Sequence, residues 1–292
     1  MPILSDETAA KLKSCQLNAK AIVEGFLVGL HRSPYHGFSV EFSDHREYNE
    51  GEPLKDVDWK IVARTDRYYV KRYEEETNLR CYILIDHSKS MFFQSGALTK
   101  IAYATQLAAA LAWLMIGQKD AAGLITFNDH VTGQYAPKAY RGYLPILFRA
   151  LVELEPGGET DVSSALHSIA ETIRKRSLIV LISDLLDEPE SIAQGLKHFR
   201  ARQHEVLVFH IADLMEENFS FRRETEFVDS ETGEKLTVTP WQIRQRYLES
   251  YGQHLEALKA QFRQFQIEYN PVSTAEPLND LLLKYLLKRR KG

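Results

Sequence analysis

Four short apolar runs, Leu79–Ile85, Gly123–Phe127, Leu178–Ile182 and Val206–Ile211, constrain most strongly what this chain can fold into. Each is nearly continuous in apolar residues, the pattern of strands covered on both faces. Between them lie helical patterns at 98–117, 142–154, 161–176 and 188–202, the first with Ile101, Ala104, Leu107, Leu111 and Leu114 on one face. Strands alternating with helices need right-handed crossovers, so the expected fold is α/β: an open, mostly parallel, Rossmann-type sheet with helices on both faces.

The flanks read differently. Ser5, Asp6 and Glu7 offer an N-cap and an acidic first turn, and Leu12, Cys15, Ile22, Phe26 and Leu30 continue a helix to His31. From Ser33 to about Asp66 no period is visible, yet Phe38, Phe42, Tyr48 and Trp59 must be buried somewhere. Residues 1–78 are therefore expected to be a helix and an irregular or β region packing on a main domain, 79–292. In that domain 224–239 reads as a hairpin turning at Glu231-Thr232-Gly233-Glu234, followed by a long helix at 241–265. A final strand at 265–272 and a closing helix at 278–287 return the chain to the sheet. Residues 214–265 thus form an insertion before the last strand.

In open α/β sheets ligands gather at the carboxyl ends of the strands, and there the loops are rich in oxygen. The first run ends in Asp86-His87-Ser88-Lys89-Ser90, the helix at 161 is preceded by Gly157-Gly158-Glu159-Thr160-Asp161, and the third run ends in Ser183-Asp184. A hard divalent cation wants about six oxygen ligands. Asp86, Ser88 and Ser90 alternate along one loop and can turn toward one point. Thr160 adds a hydroxyl and Asp184 a second carboxylate, so these five are the expected metal ligands, for Mg²⁺ first, with Mn²⁺ or Ca²⁺ possible. Two carboxylates neutralise the ion and leave a position open to anionic oxygen, either a partner's Asp or Glu or a phosphate.

The same order of motifs carries a resemblance. Residues 79–213 are similar to a von Willebrand factor A domain, whose metal-ion-dependent adhesion site runs DxSxS, Thr, Asp; the matching positions are Asp86, Ser88, Ser90, Thr160 and Asp184. Nearly the whole chain resembles the bacterial domain of unknown function 58 family, through Arg46-Glu47-Tyr48 with Gly51-Glu52, Asp58-Trp59-Lys60 with Ala63-Arg64, Val70-Lys71, Glu76, the DxSxS loop with Met91, Asp120 with Gly123-Leu124, Ser183-Asp184 and His204-Glu205-Val206. Glu52 stands where that family usually has Asp, and Lys55 where Arg is common. The resemblance implies a non-enzymatic, metal-dependent protein-binding module, an adaptor or maturation partner beside a MoxR-type AAA+ ATPase, engaged through a metal-bridged acidic residue. His87, Lys89, Glu159 and Asp161, interleaved with the ligands, are the expected partner contacts.

An enzyme is the alternative. A phosphoaspartyl hydrolase also places a nucleophilic Asp at the end of its first strand beside Mg²⁺, and Asp86 with Ser183 could imitate that. Such enzymes use an acid two residues after the nucleophile, where this chain has Ser88. No P-loop or G-x-S-x-G suggests another catalytic class.

Composition narrows the setting. Of 292 residues, 36 are Lys or Arg and 40 Asp or Glu, a net charge of −4 that gives no field for a polyanion. Arg64–Tyr73 interleaves basic and aromatic residues as single-strand binders do, but Glu74-Glu75-Glu76 opposes a polyanion, so nucleic acid is not expected, and with no stretch of about 18 uncharged apolar residues read in the sequence neither is a membrane span. The start has neither a basic stretch nor an apolar leader, which makes the expected location cytoplasmic. Cys15 and Cys81 read as buried reduced thiols, His204 and His210 as structural, Asp56 and Asp58 as part of a salt-bridge network, and Lys288–Lys291 as cations at a helix end.

Overall fold

The computed structural model describes residues 6–32, 45–47, 69–71, 79–157, 161–221, 223–228 and 234–291. By contact the chain forms two compact units, residues 1–29 with 79–292, and residues 30–78. In the smaller unit β1 (His45–Glu47) pairs antiparallel with β2 (Tyr69–Lys71). The sequence features at 33–44, 48–68 and 72–78 lie outside the described residues.

The larger unit begins with helix α1 (Asp6–Arg32) and continues as β3 (Arg80–Asp86), α2 (Lys100–Gly117), β4 (Ala121–Phe127), β5 (Val131–Lys138), α3 (Leu144–Val152), α4 (Val162–Thr172), β6 (Leu178–Ser183), α5 (Pro189–Ala201) and β7 (Glu205–Ala212). Then come α6 (Leu214–Asn218), β8 (Thr225–Val228), β9 (Lys235–Val238), α7 (Pro240–Gln264), β10 (Glu268–Ser273) and α8 (Leu278–Lys291). Six strands form one sheet in the order β10-β7-β6-β3-β4-β5, parallel throughout except for β5, which runs antiparallel to β4. This is the open α/β sheet expected from the four apolar runs.

Every residue of β4 and β6 is buried, because helices cover both faces. On one face Leu84, Ile125, Ile179, Leu181, Val206 and Val208 pack with α4, α5 and the last turns of α7 through Leu166, Ile192, Leu258 and Phe262. Alternate residues point the other way. Phe209 meets Tyr285 of α8 edge to face, and Trp113 of α2 stacks on Phe148 of α3. Helix α2 is the one helix among the described residues with the length and apolarity of a membrane span, and the fold uses it as a mostly buried core helix. Thr99 caps its start, accepting from the Ala102 N–H at 3.1 Å.

Strand β5 is the element the apolar runs do not announce. Its residues alternate between half-buried and exposed, and it contains Gly133 and Pro137, so it reads as a polar turn region. At an edge both residues are tolerated. A register shift between Ala122 and Leu124 brings β5 so close that a Cβ at Gly123 would lie 2.5 Å from the Tyr135 carbonyl oxygen.

The excursion between β7 and β10 holds the expected hairpin, β8 paired antiparallel with β9, and the long helix α7. Phe219, Phe221 and Phe227 cluster with Tyr247 of α7 and fix the hairpin to that helix.

Candidate functional site

The sheet delivers its three oxygen-rich loops to one edge. Asp86 is the last residue of β3, Ser183 the last of β6, and Asp184 follows directly. The loop leading to α4 joins them by a parallel bridge between Ser88 and Gly157, in which the Gly157 N–H donates to the His87 carbonyl at 3.1 Å. A Cβ at Gly157 would lie 2.0 Å from the Asn128 side chain and 3.0 Å from the His87 ring, so the approach requires glycine. Thr160 and Glu159 lie outside the described residues.

Asp86 is fully buried and held at both oxygens. Its Oδ1 accepts from the Ser88 N–H at 2.8 Å and its Oδ2 from the Ser183 hydroxyl at 2.7 Å. The Ser183 oxygen in turn accepts from the Leu185 N–H at 3.0 Å, which fixes the hydroxyl's direction. The hydroxyls of Ser88 and Ser90 stand 3.1 Å apart. Burial, and then the nearby Asp184 carboxylate, push the Asp86 carboxyl up to about 7.

Asp184 is equally buried. Its Oδ2 accepts from the Lys100 ammonium at 2.8 Å, while its Oδ1 has no hydrogen-bond partner among the described residues. Lys100, the first residue of α2, also donates to Glu216 Oε1 at 2.6 Å. Burial works against the charged ammonium, but the Asp184 and Glu216 carboxylates outweigh it and hold Lys100 above its ordinary value. Glu216 closes a capping box with Asp213, its Oε2 accepting from the Asp213 N–H at 2.8 Å.

Lys100 and Glu216 are absent from the residues expected on sequence grounds. They are 116 residues apart, and nothing in spacing connects them. One signal was present: a lone cation opening an otherwise apolar helix opposes the helix dipole, and such a residue needs a carboxylate partner elsewhere.

Two of the expected partner contacts have other work in the structure. His87 is buried, with Nδ1 2.8 Å from the Glu155 carbonyl and Nε2 2.8 Å from the Thr132 hydroxyl. A carbonyl can only accept, so Nδ1 carries the proton and Nε2 accepts from Thr132. Both ring nitrogens are thus spent on holding loops together. Asp161 caps α4, accepting from the Ser164 N–H at 2.9 Å. Lys89 is half-buried at the rim. His204 and His210 are buried and hydrogen-bonded, and burial pushes His210 down to about 4, in keeping with structural roles.

Whether these residues suit a metal ion can be judged from the donor set. Among the described residues no group of three or more His, Cys, Asp or Glu is placed to hold a metal, so a cation here would rest on two carboxylates and several hydroxyls. That set suits a hard divalent ion. A buried carboxylate oxygen without a donor, beside a second buried carboxylate, is costly unless a cation or water meets it. Asp86, Asp184 and Glu216 against Lys100 leave two net negative charges when all are ionised, the number a divalent ion cancels. The residues fit.

The family model for "Protein of unknown function DUF58" matches residues 44–257. The chain belongs to the DUF58 family. The match spans the paired strands β1 and β2, five of the sheet's six strands and most of α7. This DUF58 chain is 27% identical over 208 residues to the uncharacterized protein Rv1480 of Mycobacterium tuberculosis, covering 70% of this chain and 65% of the relative. The chain therefore spans just under two thirds of the curated relatives it matches. Among solved structures it is similar to BatB from Bacteroides thetaiotaomicron, with 13% identity, TM-score 0.48, 73% of this chain and 100% of that one. It is also similar to the SpRpn10 VWA domain, with 16% identity, TM-score 0.38, 70% of this chain and 93% of that one.

Proposed function

We propose that this DUF58 protein is a metal-dependent protein-binding module, in which Asp86, Ser88, Ser90, Thr160 and Asp184 hold Mg²⁺ and an acidic side chain of a protein partner completes the coordination. The observation that carries the reading is the buried Oδ1 of Asp184, which meets no donor among the described residues and belongs to a carboxylate whose charge acts on the buried Asp86. When bound, the ion supplies an open position for anionic oxygen. The chain's own residues do the rest. Ser183 and the Ser88 N–H hold Asp86 at both oxygens, Lys100 holds Asp184 at one, and the Ser88–Gly157 bridge brings the loop leading to α4 alongside. The family resemblance points to a MoxR-type AAA+ ATPase as partner, with any catalytic work belonging to that partner.

Phosphoaspartyl-type hydrolysis has less support. Asp86 Oδ2 is engaged by Ser183, and the residue two positions on, Ser88, is a buried hydroxyl that cannot act as the general acid such chemistry uses.

The test is capture of partners from native extract by the full chain, with Mg²⁺ in one arm and EDTA in the other. Retention of a defined protein only with Mg²⁺, and its loss in a folded Asp86→Ala variant, is the expected result. Equal retention with and without metal overturns the metal-bridged contact. Mg²⁺-dependent release of phosphate from simple esters, abolished by Asp86→Asn, would instead establish the hydrolase.

A further inference from the structure

We propose that Lys100 is a resident competitor for the carboxylate of Asp184, and that Glu216 on α6 sets how strongly it competes, so that metal affinity is tuned from within the fold. The inference rests on the metal reading above and adds a regulation of that same site.

Lys100 lies where a helix least favours a cation, at the first residue of α2, with its side chain fully buried. Its placement serves its partners. The ammonium donates to Asp184 Oδ2 at 2.8 Å and to Glu216 Oε1 at 2.6 Å, and so lies between a candidate metal ligand and a carboxylate outside the ligand set. A unit positive charge within hydrogen-bond distance of a ligand repels an incoming divalent ion and keeps one ligand oxygen occupied. The second carboxylate draws that charge away.

Glu216 is fixed independently of Lys100. Its other oxygen accepts from the Asp213 N–H at 2.8 Å, and Asp213 accepts from the Met215 N–H at 2.8 Å and the Ser95 N–H at 3.0 Å. The helix that carries Glu216 opens the 214–264 excursion, tied to α7 by Arg244, which donates to the Asn218 carbonyl at 3.1 Å. The share of Lys100 that Asp184 receives therefore depends on where α6 sits.

The two charges then make predictions of opposite sign. Lys100→Met removes the competitor, and Mg²⁺ should bind more tightly. Glu216→Gln keeps the side chain's shape but leaves Lys100 wholly to Asp184, and Mg²⁺ should bind more weakly. Each shift should be roughly tenfold, the scale of one nearby unit charge in a partly screened site.

The experiment is calorimetric titration of the full chain with MgCl₂ and, separately, MnCl₂, with folding of each variant checked by circular dichroism. The expected result is tighter binding in Lys100→Met, weaker binding in Glu216→Gln, and no weakening in the double variant, where the competitor is gone. If Lys100→Met does not fold, Glu216→Gln alone decides: unchanged or tighter binding overturns the proposal. A purely structural role would lower the melting temperature of both variants and leave the dissociation constants alone. If the unaltered chain binds neither ion, the metal reading fails and the proposal with it; if it binds but the variants do not diverge, only the competition is wrong.

Discussion

Asp184 divides its two oxygens unequally: Oδ2 accepts from Lys100 at 2.8 Å, while Oδ1, equally buried, meets no hydrogen-bond donor among the described residues. One carboxylate thus carries both an internal charge pair and a buried oxygen that meets no donor among the described residues. If the edge holds an ion as proposed, stability and ion binding should be separable there, because they would draw on different atoms.

Ser90→Ala and Asp184→Asn should separate them. Ser90 is half-buried and its hydroxyl, among the described residues, meets only that of Ser88, so its loss should cost under about 1 kcal/mol in EDTA while diminishing the rise in melting temperature given by Mg²⁺. Asp184→Asn leaves a buried ammonium short of one of its two carboxylates and should cost about 3 kcal/mol even without metal. Urea denaturation with and without Mg²⁺ measures both, and equal costs for the two variants in EDTA would count against this division.

Gly157→Ala tests the bridge between loops. The new Cβ would lie 2.0 Å from the Asn128 Nδ2 and 3.0 Å from its Cγ, so the variant should lose about 1–3 kcal/mol by overpacking. Adding Asn128→Ala should recover part of that loss. A double-mutant cycle with no coupling would mean that the two loops do not touch in solution.

Helix α7 should not be uniformly stable. Of its 25 residues only Pro240, Leu258 and Phe262 are buried, the latter two near its C-terminal end, while Trp241 is 67% exposed. Backbone amides at 255–264 should therefore exchange with solvent roughly tenfold or more slowly than those at 243–250. Tyr247→Ala should accelerate the first half further and leave the second unaltered, as read by hydrogen-exchange mass spectrometry.

His204 gives a pH dependence. Its Nδ1 accepts from the Ser177 N–H at 3.1 Å and its Nε2 lies 3.2 Å from the Ile173 carbonyl, an arrangement for the neutral ring. Burial holds its pKa below the ordinary value near 6.5. The unfolded chain then takes up a proton near pH 6.5 that the folded chain refuses until lower pH, so this contribution is complete above that pH and declines as pH falls through it. His204→Asn keeps an acceptor for Ser177 and cannot titrate. The stability gap between wild type and variant should narrow from pH 7.5 to pH 5, and a gap that widens would refute the neutral assignment.

The parallel sheet was legible because its strands are buried on both faces and apolar without interruption. The edge strand β5 was not, since burial on one face only, with Gly133 and Pro137 in its length, imitates a turn. For the site, Asp86, Ser88, Ser90 and Asp184 could be placed from their position at strand ends, because topology alone puts those ends side by side. Lys100 and Glu216 are long-range partners, and no local period encodes a contact across 116 residues. For His87, expected as a partner contact, the spacing among candidate ligands gives no sign that both ring nitrogens are hydrogen-bonded within the fold.

The hairpin β8–β9 closes on itself. Thr225 is paired with Val238, so the points where the chain leaves and rejoins stand side by side, about 5 Å apart across the ladder. None of the sheet's six strands pairs with β8 or β9. Evolution can lengthen, trim or exchange that loop as an interchangeable cassette, and an experimenter can splice a reporter into it, with the oxygen-lined edge left as it was.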